Sequence, residues 1–239
     1  MRIESLLRAG CALLLASLLA PGAAWPQTRN RAEGFDALPK NARLVVMPID
    51  IELFSISGGG VLEPKADWTD AASKHLKAAL DAKEKSLDVT AVELSEKDAD
   101  EFDEINALHG AIARSIALHH FGPSMYHLPT KDGKLDWSMG EPVRAIRDRT
   151  GADYALFTWI RDSYASTERQ IANVAIAILS LGRVIPLGGV QSGYASLVDL
   201  TTGRVLWFNA LARISGDLRE AGKAGETLDK LLENFPDSK

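Results

Sequence analysis

Two periods of hydrophobic and polar positions alternate along this chain. RLVVMPIDIELF, Arg43 to Phe54, is a β-branched apolar run that predicts a strand, and Pro48, which has no amide to give a ladder, predicts a sheet edge or a bulge within it. After SISGGGVLEPKAD, Asp67 or Thr69 can cap a helix in which Trp68, Ala72, Leu76, Ala79, Leu80 and Lys83 keep helical spacing. Leu87 to Leu94 alternates and predicts a short strand. From Ser95 to Phe121 the pattern turns helical again. Its acidic opening suits the positive end of a helix dipole, and Phe102, Ile105, Leu108, Ile112 and Ile116 form one stripe. Gly-Pro, Leu-Pro and Asp-Gly between Phe121 and Asp136 are turn chemistry. Glu141 to Thr150 has Pro142 in its first turn and Gly151 just past its end, the asymmetry of a short helix. Ala152 to Ser166 then predicts a long strand, SGYASLVDLTTGRVLWFNALARIS two strands around Thr201-Thr202-Gly203, and Gly225 to Phe235 a closing helix. Strand, helix, strand, two helices, three strands and helix predict an α/β (or α+β) chain with a single mixed sheet and helices packed on it.

One stretch fits that order as an insertion, Thr167 to Gln191. Its core, IANVAIAILSLGRVIPLGGVQ, is apolar except for Asn173, Ser180, three glycines, Gln191 and one charge, Arg183. A lone membrane helix needs about 20 apolar residues to cross about 30 Å of hydrocarbon. Here only 12 precede Arg183, and Pro186, Gly188 and Gly189 then break any continuation. Ile171, Val174, Ala175, Ile178 and Leu179 repeat at helical spacing, with Ile176 and Ala177 widening the apolar surface. The pattern favours a helix packed on protein, either in the core or at a subunit interface. The other readings are a membrane-inserting element contributed to an oligomer and a mobile loop. The candidate interface residues are Ile171, Val174, Ile176, Ile178 and Leu179.

The N-terminus changes the compartment. Arg2 and Arg8, the apolar run Cys11 to Ala20, Pro21-Gly22 and the small Ala23 and Ala24 follow the order of a secretory signal peptide over residues 1–24. Residues 25–41 then form a polar lead and 42–239 a single domain. Cys11 is the one cysteine, so a cleaved chain has no thiol for a disulfide, a zinc site or a lipid anchor. Without Arg2, Arg8 and Glu4, 25 basic residues face 31 acidic ones, a net charge of −6, which carries no bias toward nucleic acid or anionic lipid.

Candidate chemistry is sparse. SISGGGVLEPKADWT lies where a phosphate loop could lie, but no Gly-Lys-Ser/Thr opens the helix, and a flexible connection is the expectation. His109 and His120 share a helical face about 16 Å apart at 1.5 Å per residue, too far for one metal. His120, His127 and Asp132 could converge across the following turn as a general-base or metal site. No Gly-x-Ser-x-Gly elbow occurs. These residues predict no catalytic, cofactor or metal site.

RLVVMPIDIELF near the start, GADYALFTWI leading into a strand, and the strand pair around SLVDLTTGRVLWF are together similar to the envelope proteins related to the TolB N-terminal domain and to the curli secretion protein CsgG. That resemblance implies a TolB-N/CsgG-like sheet and a non-enzymatic envelope role in assembly, secretion or partner binding. In the curli protein the insertion between strands supplies a membrane barrel, whereas here it reads as a helix and no lipobox cysteine follows the leader. The expected function is therefore a periplasmic binding or assembly component, with a homo-oligomer or another envelope protein as partner. A periplasmic hydrolase built on His120, His127 and Asp132, and an oligomeric secretion-channel subunit, are the alternatives.

Overall fold

The computed structural model describes residues 29–84, 89–92, 94, 96–181, 183 and 188–239. The leader read at residues 1–24 lies outside these, as do parts of the strand expected at Leu87 to Leu94 and of the segment around Pro186. The strands are β1 (Arg43–Val46), β2 (Asp50–Ile56), β3 (Leu62–Pro64), β4 (Thr90–Val92), β5 (Tyr154–Ala165), β6 (Gln191–Asp199) and β7 (Val205–Arg213). The helices are α1 (Ala66–Glu84), α2 (Glu96–Glu101), α3 (Asp103–Ile116), α4 (Arg144–Thr150), α5 (Thr167–Leu179) and α6 (Ala221–Leu231).

β5 orders the sheet. One edge pairs antiparallel with β6, which pairs antiparallel with β7. The other edge is shared. β1 runs parallel to its first residues, with Val46 opposite Leu156, and β2 parallel to its last, with Asp50 opposite Trp159. Met47 to Ile49 therefore oppose only Phe157 and Thr158, and Pro48 lies in a bulge of a central strand rather than at an edge. The Pro48 carbonyl accepts from Asn106 Nδ2 at 3.0 Å. β4 extends β1 in parallel, and β3 pairs antiparallel with β2.

Period 2 along β5 builds two cores. Leu156 and Ile160 pack with α1 and α6 residues such as Leu76 and Leu228, while Ala155 and Phe157 pack with α3 and α4 residues such as Ile116 and Ile146. The result is a mixed sheet between two helical layers. His109 of α3 lies in the second core, stacked on Phe157 at 5.0 Å and hydrogen-bonded to Ser196 Oγ at 2.8 Å. Burial pushes its pKa down to about 3.

Three local expectations are corrected, and the segment before β1 adds a fourth feature. SISGGGVLEPKAD is not a flexible connection. Gly60, at φ 85°, closes a turn in which Ser57 N donates to Val61 O at 2.9 Å, and Leu62–Pro64 returns as β3. The helical run from Ser95 divides at Phe102, whose φ −103° and ψ 10° break the turn, and ends in a π-helical turn over Ala117–Phe121. The closing helix starts at Ala221 and ends at Leu231, because Ala224, Thr227, Leu228 and Leu231 are the inward positions and Asn234 turns left-handed. The polar segment before β1 is pinned to the domain. Phe208 N donates to Asn30 O and Ala32 N to Leu206 O, each at 2.9 Å, which covers part of the outer edge of β7, and Ala32 and Leu38 are buried.

The β6–β7 turn is held by Asp199, whose carboxylate accepts from Thr201 N at 2.7 Å and Thr202 Oγ1 at 2.8 Å. Gly203 takes φ 74°, and a Cβ there would stand 2.3 Å from Gly140 O. Gly203→Ala is expected to lower stability by roughly 3 kcal/mol, left-handed strain and the backbone clash acting together, as read from urea midpoints. His109 gives a pH signature. Its folded pKa lies below the unfolded value, so it contributes stability that is present above about 6.5 and is lost as pH falls toward about 3. His109→Gln should flatten that acid limb relative to the native chain. An unchanged limb would assign acid unfolding to other groups.

Candidate functional site

The insertion leaves the sheet where β5 ends and returns where β6 begins. Its neck is closed by backbone contacts: Ala165 N donates to Gly188 O at 2.6 Å, and Ser163 Oγ bonds both the amide and the carbonyl of Val190, at 3.0 and 3.1 Å. Gly189 passes so near that a Cβ would fall 1.9 Å from Ser163 O, at a φ of 157° that side chains avoid. Ser166 caps α5, its Oγ accepting from Arg169 N at 3.2 Å.

Helix α5 is amphipathic in the inverse sense. Arg169, Ala172, Asn173, Ala177 and Ser180 are its half-buried positions, and none of its residues is buried. The apolar stripe points outward: Ile171 is 66% exposed, Val174 60%, Ile176 38%, Ile178 68% and Leu179 83%. The helix expected here is present, but its placement in the monomer core is overturned, because the small and polar residues face the protein. The neighbourhood is also apolar. Val61 and Leu62 of the β2–β3 hairpin, Leu181, Val190 and Ile214 are exposed. Strand register puts them at one end of the domain, since Ile56 lies opposite both Leu62 and Ala165, and Gln191 opposite both Asp162 and Arg213.

Beneath that end lies a polar network that sequence reading missed. Asp162 is 2% exposed. It accepts from Tyr164 OH at 2.6 Å, Gln191 Nε2 at 2.5 Å and Ser163 N at 2.8 Å. Gln191 Oε1 in turn accepts from Arg213 Nε at 2.7 Å and Thr227 Oγ1 at 3.1 Å. Arg219 chelates Asp217 at 2.5 and 2.8 Å and stacks over Tyr164 and Trp68 at 4.0 and 4.6 Å. Burial pushes the Asp162 carboxyl up against the opposing pull of its donors, and burial, then the hydrogen bond to Asp162 and that carboxylate's charge, push the Tyr164 hydroxyl up. The signal was present in RDSYAS, where Asp162 and Tyr164 share the parity of buried Leu156 and Ile160. The cleft beside the network holds about 70 Å³, against the roughly 300 Å³ at which small-molecule pockets begin. The network thus ties the insertion's neck to β7 and α6.

The histidine loop has a different geometry. His120 Nε2–H donates to Arg29 O at 2.7 Å, and exposed His127 Nε2–H to Gly122 O at 2.8 Å. Each ring is held by a backbone carbonyl. Burial lowers the His120 pKa, opposed by its bond to Arg29 O. Asp132 stands exposed in a left-handed turn at φ 49°. Among the described residues no group of three or more His, Cys, Asp or Glu side chains is placed to hold a metal, and no helix is long and apolar enough to cross a membrane.

These features define a class, a mixed α/β domain bearing an outward-facing apolar helix on an inserted segment. No family model and no curated protein matches the chain. Solved structures similar to it include the PelC dodecamer from Paraburkholderia phytofirmans, 13% identical over 86% of this chain and 97% of that chain, TM-score 0.36. Lipoprotein GNA1162 from Neisseria meningitidis is 14% identical over 81% and 99%, TM-score 0.32. The LpoB C-terminal domain from Salmonella enterica is 15% identical over 76% and 87%, TM-score 0.28. Likeness of this extent assigns no family, and function has to be read from this chain's own surface.

Asp162 carries a testable sign. Its folded pKa is raised, so the folded state binds more protons than the unfolded one above the ordinary aspartate value of about 3.9, and its ionisation costs stability as pH rises from there through the folded value. Asp162→Asn should remove that decline, seen as a difference between the two proteins' urea midpoints that varies with pH. Parallel midpoint curves would mean that Asp162 ionises as freely folded as unfolded.

Proposed function

We propose that this protein is an exported, non-enzymatic component of the cell envelope, acting in the periplasm by binding or assembling with protein through the outward face of α5. The observation that carries this reading is the inversion of the helix. A chain selected only to fold would turn Ile171, Ile178 and Leu179 inward, whereas here a rigid, clamped neck presents them to the surroundings. Exposed apolar patches of more than a few hundred Å² on folded proteins mark contact surfaces. Export rests on the leader of residues 1–24, and the similarity of three strand segments to the TolB and CsgG group accords with an envelope role. The hydrolase alternative has no assembled constellation behind it, because both loop histidines are engaged by carbonyls and Asp132 stands on an exposed turn. For a channel subunit, α5 is 13 residues long, about 20 Å at 1.5 Å per residue, short of the roughly 30 Å of a bilayer core.

The test is an Ile171→Asp, Ile178→Asp variant of the full chain beside the native one. Both residues are exposed, so the thermal midpoint should shift by no more than about 2 °C. In detergent-free envelope extracts the native chain should run in a complex larger than its monomer mass and the variant as a monomer. A native chain that is monomeric there, or a variant that unfolds, removes the reading.

A further inference from the structure

We propose that the occupant of this face is a second copy of the same chain, related by a two-fold axis, with the two α5 helices antiparallel and crossing at Ala175. The proposal rests on the reading of α5 as an association surface and names its partner. Three observations converge on it.

The first is area. The stripe of α5 with Val61, Leu62, Leu181, Val190 and Ile214 exposes on the order of 1,000 Å² of large aliphatic side chains, about what one partner brings to a specific interface, roughly 800 Å². The second is that this face is single. Among the described residues the other exposed large hydrophobics are Leu118, Met125 and Tyr126 at the end of α3, too few to match it. A head-to-tail contact needs two different complementary faces, whereas a two-fold contact needs one face complementary to itself.

The third is the order of residues along the helix. Ile171 and Leu179, both exposed, stand four positions either side of Ala175. Rotation about an axis through Ala175 therefore places each Ile171 beside the mate's Leu179. Ala175 is exposed and small, which lets the backbones approach where the helices cross. The antiparallel arrangement also brings the opposite ends of the two helix dipoles together, which favours the pairing. A lipid surface is the poorer fit. Helices that lie in a membrane interface carry a Lys- and Arg-rich polar face, whereas the polar side of α5 is turned against its own domain and the outward stripe has no aromatic residue.

The test uses the full chain in a Cys11→Ala background, which leaves no native thiol. By light scattering the protein should have twice its monomer mass in detergent-free buffer. Under mild oxidation Ala175→Cys should pass almost wholly into a reducible covalent dimer, while Ala145→Cys, exposed on α4 beyond the opposite end of β5, should not. Ile178→Asp enters the interface twice and should weaken dimerisation roughly a hundredfold or more with the fold retained. A monomer at tens of micromolar, a dimer that Ala175→Cys fails to link, or a dimer indifferent to Ile178→Asp overturns the two-fold contact. So does a monomer that binds phosphatidylcholine–phosphatidylglycerol vesicles through α5, which makes lipid the occupant. If the purified chain is monomeric yet Ile171→Asp, Ile178→Asp still dissolves its complex in envelope extracts, the binding reading stands and only the second copy falls.

Discussion

Everything in this molecule hangs on β5 being paired along both edges and covered on both faces. Its run from Ala155 to Ile160 is buried without interruption, so its backbone groups need sheet partners and its side chains need a helical layer on each side. That requirement explains why the Arg43–Phe54 segment is spread along one edge of β5 as two strands with a bulge at Pro48. It also explains why β6 and β7 close the other edge, and why α1 and α6 lie opposite α3 and α4. Where β5 runs out, at Asp162 to Ala165, the demand changes from burial to polar satisfaction. Asp162 meets it with three donors drawn from its own strand and from Gln191.

That change of demand sets the insertion. Gln191 opens β6 and Asp162 ends the paired part of β5 opposite it, so the network fixes both feet of the segment between them, and the Ser163–Val190 and Ala165–Gly188 contacts tighten them further. With the feet held, α5 sets Ala172, Asn173 and Ala177 half-buried on its inner side and its isoleucines outward. An apolar surface presented by a formed helix binds with less ordering cost than a disordered segment would.

Periodicity was enough to read most of the fold. The strand run of Ala152 to Ser166, the strand pair around the turn Thr201-Thr202-Gly203 and the helical spacing of Ile171 to Leu179 are local properties, set by where side chains point along a strand or helix, and each is present where the pattern placed it. Short or irregular pieces were not legible. β3 has three residues and depends on β2 for its pairing, and the break at Phe102 falls where no glycine or proline marks it. Of the candidate site, the five apolar residues of α5 were visible as a stripe, while the Asp162 network was not, because its members come from β5, β6, β7 and α6.

By itself the sequence determined that this chain carries an apolar helix between two strands of a mixed sheet, since spacing alone decides which residues share a face. It could not decide whether that face turns toward the core. A moment has a direction only relative to a neighbour, and the neighbour here is fixed by contacts far apart in sequence: Asp162 with Gln191, Gln191 with Arg213 and Thr227. The tertiary structure made that decision, turning Ala172, Asn173 and Ala177 inward and Ile171, Val174, Ile178 and Leu179 outward. The same side chains would otherwise have read as core.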